Sequence, residues 1–256
     1  MSIFTQFIRS FYSTKDIASY RFQKIGKTIL YVFFLALLAA LPMIYHLYSI
    51  SNKELQFVKT VAAEELPDFE IKNGVLETAN PTQIVKERPD FTFIFDPNVT
   101  EIPSTYKNNP VTIAVLKDKF IANIPGQEQT VMYDTLGDSP MTKQHVMDLF
   151  QTLEDIAPIL FGIVAVIMYL YTCFTQFFYT TIFAALALLL RRQTPQKLTY
   201  KHLWTMTAYA MTIPTVFFII MDALMITIPF SHFLLYSFVT MLILFLSLRE
   251  IPTPKK

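Results

Sequence analysis

Apolar runs dominate the second half of the chain and occur once near its start. The first covers Thr28 to Ile50, the second Ala157 to Leu190, the third His202 to Ile228 and the fourth Phe233 to Leu248. A bilayer core of about 30 Å is crossed by about 20 helical residues, so these runs predict four transmembrane helices. Pro42 is expected to kink the first helix or mark its outer turn. A cleaved signal peptide is the competing reading of that run. It fits poorly, because the apolar stretch begins only at residue 28, is too long and lacks a small-residue cleavage site. The second run is 34 residues long, about 51 Å of helix. Between Thr172 and Thr181 it has no Gly, Pro, Asn or Asp to turn the chain. One long helix, tilted or projecting, is therefore expected in place of two. Pro214 should bend the third helix, and Pro229 to His232 reads as a short turn before the fourth.

The intervening segment, residues 51–156, has a different pattern. Asn52 to Pro67 reads as a helix continuing from the first run. Phe69 to Glu77 then alternates apolar and polar residues around Asn73-Gly74, a strong hairpin signal. Residues 91–95, 111–116, 120–124 and 129–133 read as further strands, and 141–155 as a helix entering the second run. The expectation is a small α+β module held at both ends by apolar helices. Residues 1–27 precede the first run. Ile3, Phe4, Phe7, Ile8, Phe11 and Tyr12 recur there at helical spacing, and Ser13-x-x-Asp16 resembles a capping box. An interfacial helix on an anionic leaflet fits this segment; a helix packed on the bundle is the alternative.

Charge orients the arrangement. The chain is 53% hydrophobic and 16% charged, with a net charge of +1. Residues 51–155 hold nine basic and seventeen acidic side chains, a net of −8, while the flanks together carry +9. The positive-inside rule places residues 1–27, the 191–201 loop and the 249–256 tail in the cytoplasm. Residues 51–156 then lie outside. The expected fold is an α-helical, multi-pass plasma-membrane protein with four transmembrane helices, an inserted small α+β extracytoplasmic domain and an N-terminal amphipathic helix.

Catalytic signatures are missing. One cysteine, Cys173, excludes an internal disulfide framework. No two of His46, His145, His202 and His232 have helical ligand spacing, and no H-E-x-x-H, G-x-S-x-G or Walker A motif occurs. The adjacent acids Glu64-Glu65 and Glu154-Asp155 read as solvated helix faces. The only Trp, Trp204, lies outside the 51–156 segment, which argues against a dedicated sugar platform there. No catalytic, cofactor or metal residues are expected. Asp222 is the one acid inside an apolar run. An intramembrane carboxylate is costly and marks a functional hypothesis. His46 and His232 should share its level and complete a polar site or proton relay. The competing reading has Asp222 at the interface, protonated or bonded to neighbouring Thr residues.

Phe11 to Tyr31 (FYSTKDIASYRFQKIGKTILY), Phe69 to Leu76 (FEIKNGVL) and the four-run layout resemble a family of uncharacterised membrane proteins from Gram-positive bacteria. The resemblance covers essentially the whole chain. Some members are labelled maltodextrin-utilisation proteins, which implies an accessory role linked to sugar uptake and brings no catalytic residues. The expected function is a non-enzymatic accessory or regulatory membrane component. Its partners would be the lipid bilayer and a membrane or envelope protein, with no nucleic acid; a homo-oligomer is compatible with the pattern. The alternative is a small transporter or permease subunit using Asp222.

Overall fold

A computed structural model of the chain describes residues 1–89, 91–106, 111–124, 127–136, 140–190, 198–226 and 231–252. The chain divides into two compact units, one formed by Met1–Leu47 with Phe161–Lys256 and the other by Tyr48–Leu160. The fold is mostly helical, with a smaller sheet region. Three helices among the described residues are long and apolar enough to cross a membrane: Ile25–Glu64, Lys143–Leu189 and Tyr200–Ala223. A shorter apolar helix covers Phe233–Arg249.

The first unit begins with α1 (Ile3–Ser10) and α2 (Thr14–Ser19). Ser2 Oγ accepts from the Thr5 amide and Ser13 Oγ from the Asp16 amide, both at 3.1 Å, satisfying donors that the helix starts leave free. The burial of α1 is inverted relative to a water-facing helix. Gln6 and Ser10 are buried, while Phe4, Ile8 and Tyr12 are exposed. Gln6 and Gln23 bond each other, Gln23 donates to the Tyr209 hydroxyl, and Tyr209 donates back to Gln6 Oε1 at 3.3 Å. This neutral ring pins the N-terminal segment to α5.

The first run lies within α3 (Ile25–Glu64), which continues through Pro42. The second run lies within α4 (Lys143–Leu190), one helix of 48 residues that includes Pro158. No break occurs between Thr172 and Thr181, as the absence of turn residues there implied. The third run differs from a single helix. It forms α5 (Tyr200–Ala210) and α6 (Thr212–Ala223), separated at Met211. Pro214 has no amide hydrogen for the Ala210 carbonyl and its ring crowds that group, so the irregularity appears one turn before the proline. The fourth run lies in α7 (Ser231–Arg249). Tyr31, Leu35, Leu203, Met206, Tyr209 and Leu244 form the buried centre of this unit. Residues 191–197 and the Pro229 turn lie outside the described residues.

The second unit is α+β. Strands β1 (Phe69–Lys72) and β2 (Val75–Thr78) form a hairpin, and β8 (Met141–Thr142) joins the other edge of β1. The two loop residues both take positive φ, 50° at Asn73 and 76° at Gly74, the geometry that makes Asn-Gly a hairpin signal. A second sheet runs in the order β3 (Ile84–Arg88), β4 (Phe91–Asp96), β5 (Thr112–Leu116), β6 (Lys119–Ile124) and β7 (Gln127–Met132). All of its pairings are antiparallel except β4 with β5. Sequence reasoning did not anticipate β3 or β8. IVKER carries three charges in five residues, and β8 has only two residues.

Strand β4 is buried on both faces. Phe91, Phe93 and Phe95 pack with Val61, Ala62 and Leu66, whereas Ile94 packs with Ile102, Ala114 and Leu116. Period-two alternation thus serves two cores from one strand. The helical parts are fastened together by Lys143, whose Nζ donates to the Ala63 and Leu66 carbonyls at 3.1 and 2.6 Å. Glu154 accepts from Lys59 at 2.5 Å and Gln56 at 2.7 Å.

Two outcomes follow from this unit. Gly74→Ala should lower its stability by about 1 kcal/mol, because an L-residue is strained at positive φ. The added Cβ would meet only ordinary contact, 3.5 Å from Asp134 Cβ. Thermal unfolding of the full chain measures this, and an unchanged midpoint contradicts it. Lys59 and Gln56 hold the Glu154 carboxyl below its ordinary value of 4.5. A depressed folded-state pKa gives stability that is present above the ordinary value and disappears as pH falls through the lowered one. Glu154→Gln should therefore lose less stability than the parent between neutral and acidic pH in a pH-dependent melt. Equal losses would count against the contact.

Candidate functional site

The residues singled out by their chemistry are distributed unevenly. Asp222 lies near the end of α6, where Met225 takes a positive φ of 56°. The Met225 amide donates to the Asp222 carbonyl and the Ile226 amide to the Met221 carbonyl, both at 3.0 Å. This is the hydrogen-bond pattern of a Schellman cap, with methionine where glycine is usual. His46 reaches the same residue, but its Nε2 donates to the Asp222 main-chain carbonyl at 2.9 Å. The histidine takes the second lone pair of a carbonyl that already accepts the Met225 amide. Among the described residues, the Asp222 carboxylate has no hydrogen-bond or ion-pair partner, and the residue is exposed. The structure thus brings His46 and Asp222 together through backbone. The His232 side chain lies outside the described residues.

Two further histidines serve helix starts. His145 Nδ1 accepts from the Thr142 amide at 3.2 Å, and His202 forms a capping box with Thr199. Among the described residues, no three His, Cys, Asp or Glu side chains form a group that could hold a metal ion. Cys173 is buried. Glu65 pairs with Lys86 at 2.7 Å. The Asn98 side chain donates to the Pro81 carbonyl at 2.9 Å.

The polar residues of the apolar runs mostly satisfy one another or their own helices. The Tyr236 hydroxyl donates to Gln176 Oε1 at 3.2 Å and shares a 2.8 Å bond with Thr215. Trp204 Nε1 donates to Thr181 Oγ1 at 3.3 Å. Thr172 and Thr175 bond carbonyls within their own helix. Neutral interhelical bonds of this kind hold helices together where water is scarce.

Sequence reasoning missed an apolar cavity in the Tyr48–Leu160 unit. Its volume is about 360 Å³, within the size range of small-molecule sites. Helix α3 contributes Val58 and Ala62, and α4 contributes Val146, Leu149 and Phe150; the strands supply Phe93, Ile113, Val115 and Phe120 among others. Among the described residues, Tyr133 is the one lining residue that carries a hydroxyl, and it is 3% exposed. Burial pushes the phenol well above its ordinary range. Val131 and Leu149 line the cavity yet are 40% and 52% exposed, which marks its open side. The spacing of Val58, Ala62 and Leu66 and the alternation of Ile113 with Val115 are visible in the sequence, but core residues follow the same periodicities.

The carbonyl contact of His46 has a distinguishing consequence. His46→Ala should lower the melting temperature of the full chain, by about 1 kcal/mol or less in stability, while Asp222→Asn leaves the carbonyl in place and should melt like the parent. Equal losses in the two variants would instead implicate the Asp222 carboxylate.

A family model described as "Protein of unknown function (DUF1189)" matches residues 4–248. That range takes in both units and both segments, Phe11 to Tyr31 and Phe69 to Leu76, that carried the resemblance to an uncharacterised family. No significant match was found among curated proteins or among solved structures. With most of its length covered by this one model, the chain belongs to the DUF1189 family of proteins of unknown function.

Proposed function

We propose that this chain is a non-enzymatic, multi-pass membrane protein of accessory or regulatory kind. Four helices cross the plasma membrane, both termini face the cytoplasm, and the Tyr48–Leu160 unit projects outside to contact an envelope or transport partner. The observation that carries the reading is the bareness of α4. Ile159, Ile163, Val166, Ile167, Leu170 and Phe174 are exposed along it, and only 6% of its apolar window is buried by protein. Water penalises such a surface by roughly 25 cal/mol per Å²; hydrocarbon does not. Charge supports the orientation, with a net of −8 between residues 51 and 155 and excess Lys and Arg in the flanks.

The inverted α1 fits the same environment. Its polar side chains turn inward and Phe4, Ile8 and Tyr12 turn outward, which suits a helix lying in the interface of a cytoplasmic leaflet. An accessory role follows from what the polar residues do. Three histidines satisfy backbone or cap helix starts, and the contacts among Gln6, Tyr209, Gln176, Thr215 and Tyr236 are neutral. The outer unit carries an apolar cavity, and partner contact is assigned to this unit. A link to sugar uptake, implied by the family resemblance, belongs to the same proposal.

Topology is tested with single cysteines in a Cys173→Ser background, labelled in intact cells by a membrane-impermeant maleimide. Glu77→Cys should label at once and Gln193→Cys only after permeabilisation. The reverse pattern inverts the orientation, and equal labelling of both sites removes the membrane barrier from the proposal. For the partner, photocrosslinkers on the outer unit should capture a membrane or envelope protein in living cells. Recovery of the chain alone from every position would count against the accessory role.

A further inference from the structure

The cavity of the Tyr48–Leu160 unit has a lining that restricts what can enter it. Among the described residues its walls are aliphatic and aromatic, and the Tyr133 hydroxyl is buried rather than presented to the space. A sugar, nucleotide or peptide would surrender its hydration to this surface and regain almost none of it. Water is equally badly served, because a buried water needs two to four polar partners. Hydrocarbon is the chemistry that loses nothing on entry.

Size and supply narrow the choice. The volume of about 360 Å³ equals roughly a dozen water volumes of about 30 Å³ each, and a methylene is close to a water in size. About a dozen methylenes of one extended chain fit, whereas the paired chains and headgroup of a whole lipid do not. The wall residues Val146, Leu149 and Phe150 belong to α4. The uncharged run on that helix begins at Ala157, seven residues beyond Phe150, or about 10 Å along the axis. The exposed apolar side chains of Val131 and Leu149 give a chain a non-polar entrance.

We infer that this cavity takes one acyl chain of a membrane phospholipid, so that the outer unit is a lipid-engaging domain. This rests on the proposed membrane location.

The test uses the full chain in vesicles of phosphatidylethanolamine and phosphatidylglycerol, with a small fraction of phosphatidylglycerol bearing a diazirine at the end of one acyl chain. After irradiation, adducts are mapped by peptide mass spectrometry. Adducts should appear on the membrane runs and also on peptides containing Phe93, Ile113, Val115 or Phe120. Val115→Trp and, from the helix side, Ala62→Phe fill the cavity; each should cut the outer-unit adducts at least fivefold and leave those in the runs unchanged. Limited proteolysis of the outer unit identifies which variants fold, and the parent's map decides the question if neither does. Adducts confined to the runs, or undiminished in a folded filled variant, would overturn the inference while sparing the membrane reading. Absence of adducts anywhere in the chain would remove both.

Discussion

Helices α3 and α4 satisfy their backbone hydrogen bonds internally over 40 and 48 residues, and along much of that length no other part of the chain covers their apolar side chains. A helix can carry such a surface only where the surroundings are as apolar as the side chains. The partition of charge follows from the same constraint. Lys and Arg cluster next to the runs, and acids accumulate between the first and second. The proposed topology, the placement of the outer unit and the supply of acyl chains to its cavity all depend on that environment being hydrocarbon.

Within the helical unit, specificity comes from neutral polar contacts. Gln6, Gln23 and Tyr209 close a ring, and Gln176, Thr215 and Tyr236 form a second group. Where apolar packing gains little over contact with lipid, such bonds choose between helix arrangements. They also explain the inversion of α1, since Gln6 is held inward by its partners while Phe4 and Ile8 face out. The Tyr48–Leu160 unit is organised differently. Its β4 strand is buried on both faces, its helical ends are tied by Lys143 and Glu154, and one side of its core is left as a cavity.

Legibility followed the locality of each cause. The Asn73-Gly74 hairpin was readable because positive φ at two successive residues is a local demand that few residues meet. The continuity of α4 was readable because nothing between Thr172 and Thr181 could stop a helix. Strand β3 was hidden because it is half-exposed and charged, and its place depends on β4 beside it. Pro214 announced a disturbance, but its location at Met211 reflects the carbonyl one turn back. At Asp222 the sequence and the structure draw attention to different groups. The carboxylate was the visible chemistry, whereas His46 binds the main-chain carbonyl, which a sequence does not distinguish from any other. The cavity was illegible because Ile113 facing a space and Phe95 facing a neighbour obey the same alternation.

Site-directed spin labelling along α4 gives the most direct measurement of the environment on which all this depends. Nitroxides at Ile159, Ile163, Val166, Ile167, Leu170 and Phe174, in the full chain reconstituted into liposomes, would be relaxed in turn by oxygen and by a water-soluble nickel chelate. Oxygen, which concentrates in hydrocarbon, should dominate at Ile163 to Phe174 and fall off toward Ile159 as the interface is approached. Dominance of the nickel chelate through the middle of this series would show that water covers these side chains, and would contradict a hydrocarbon surrounding for α4.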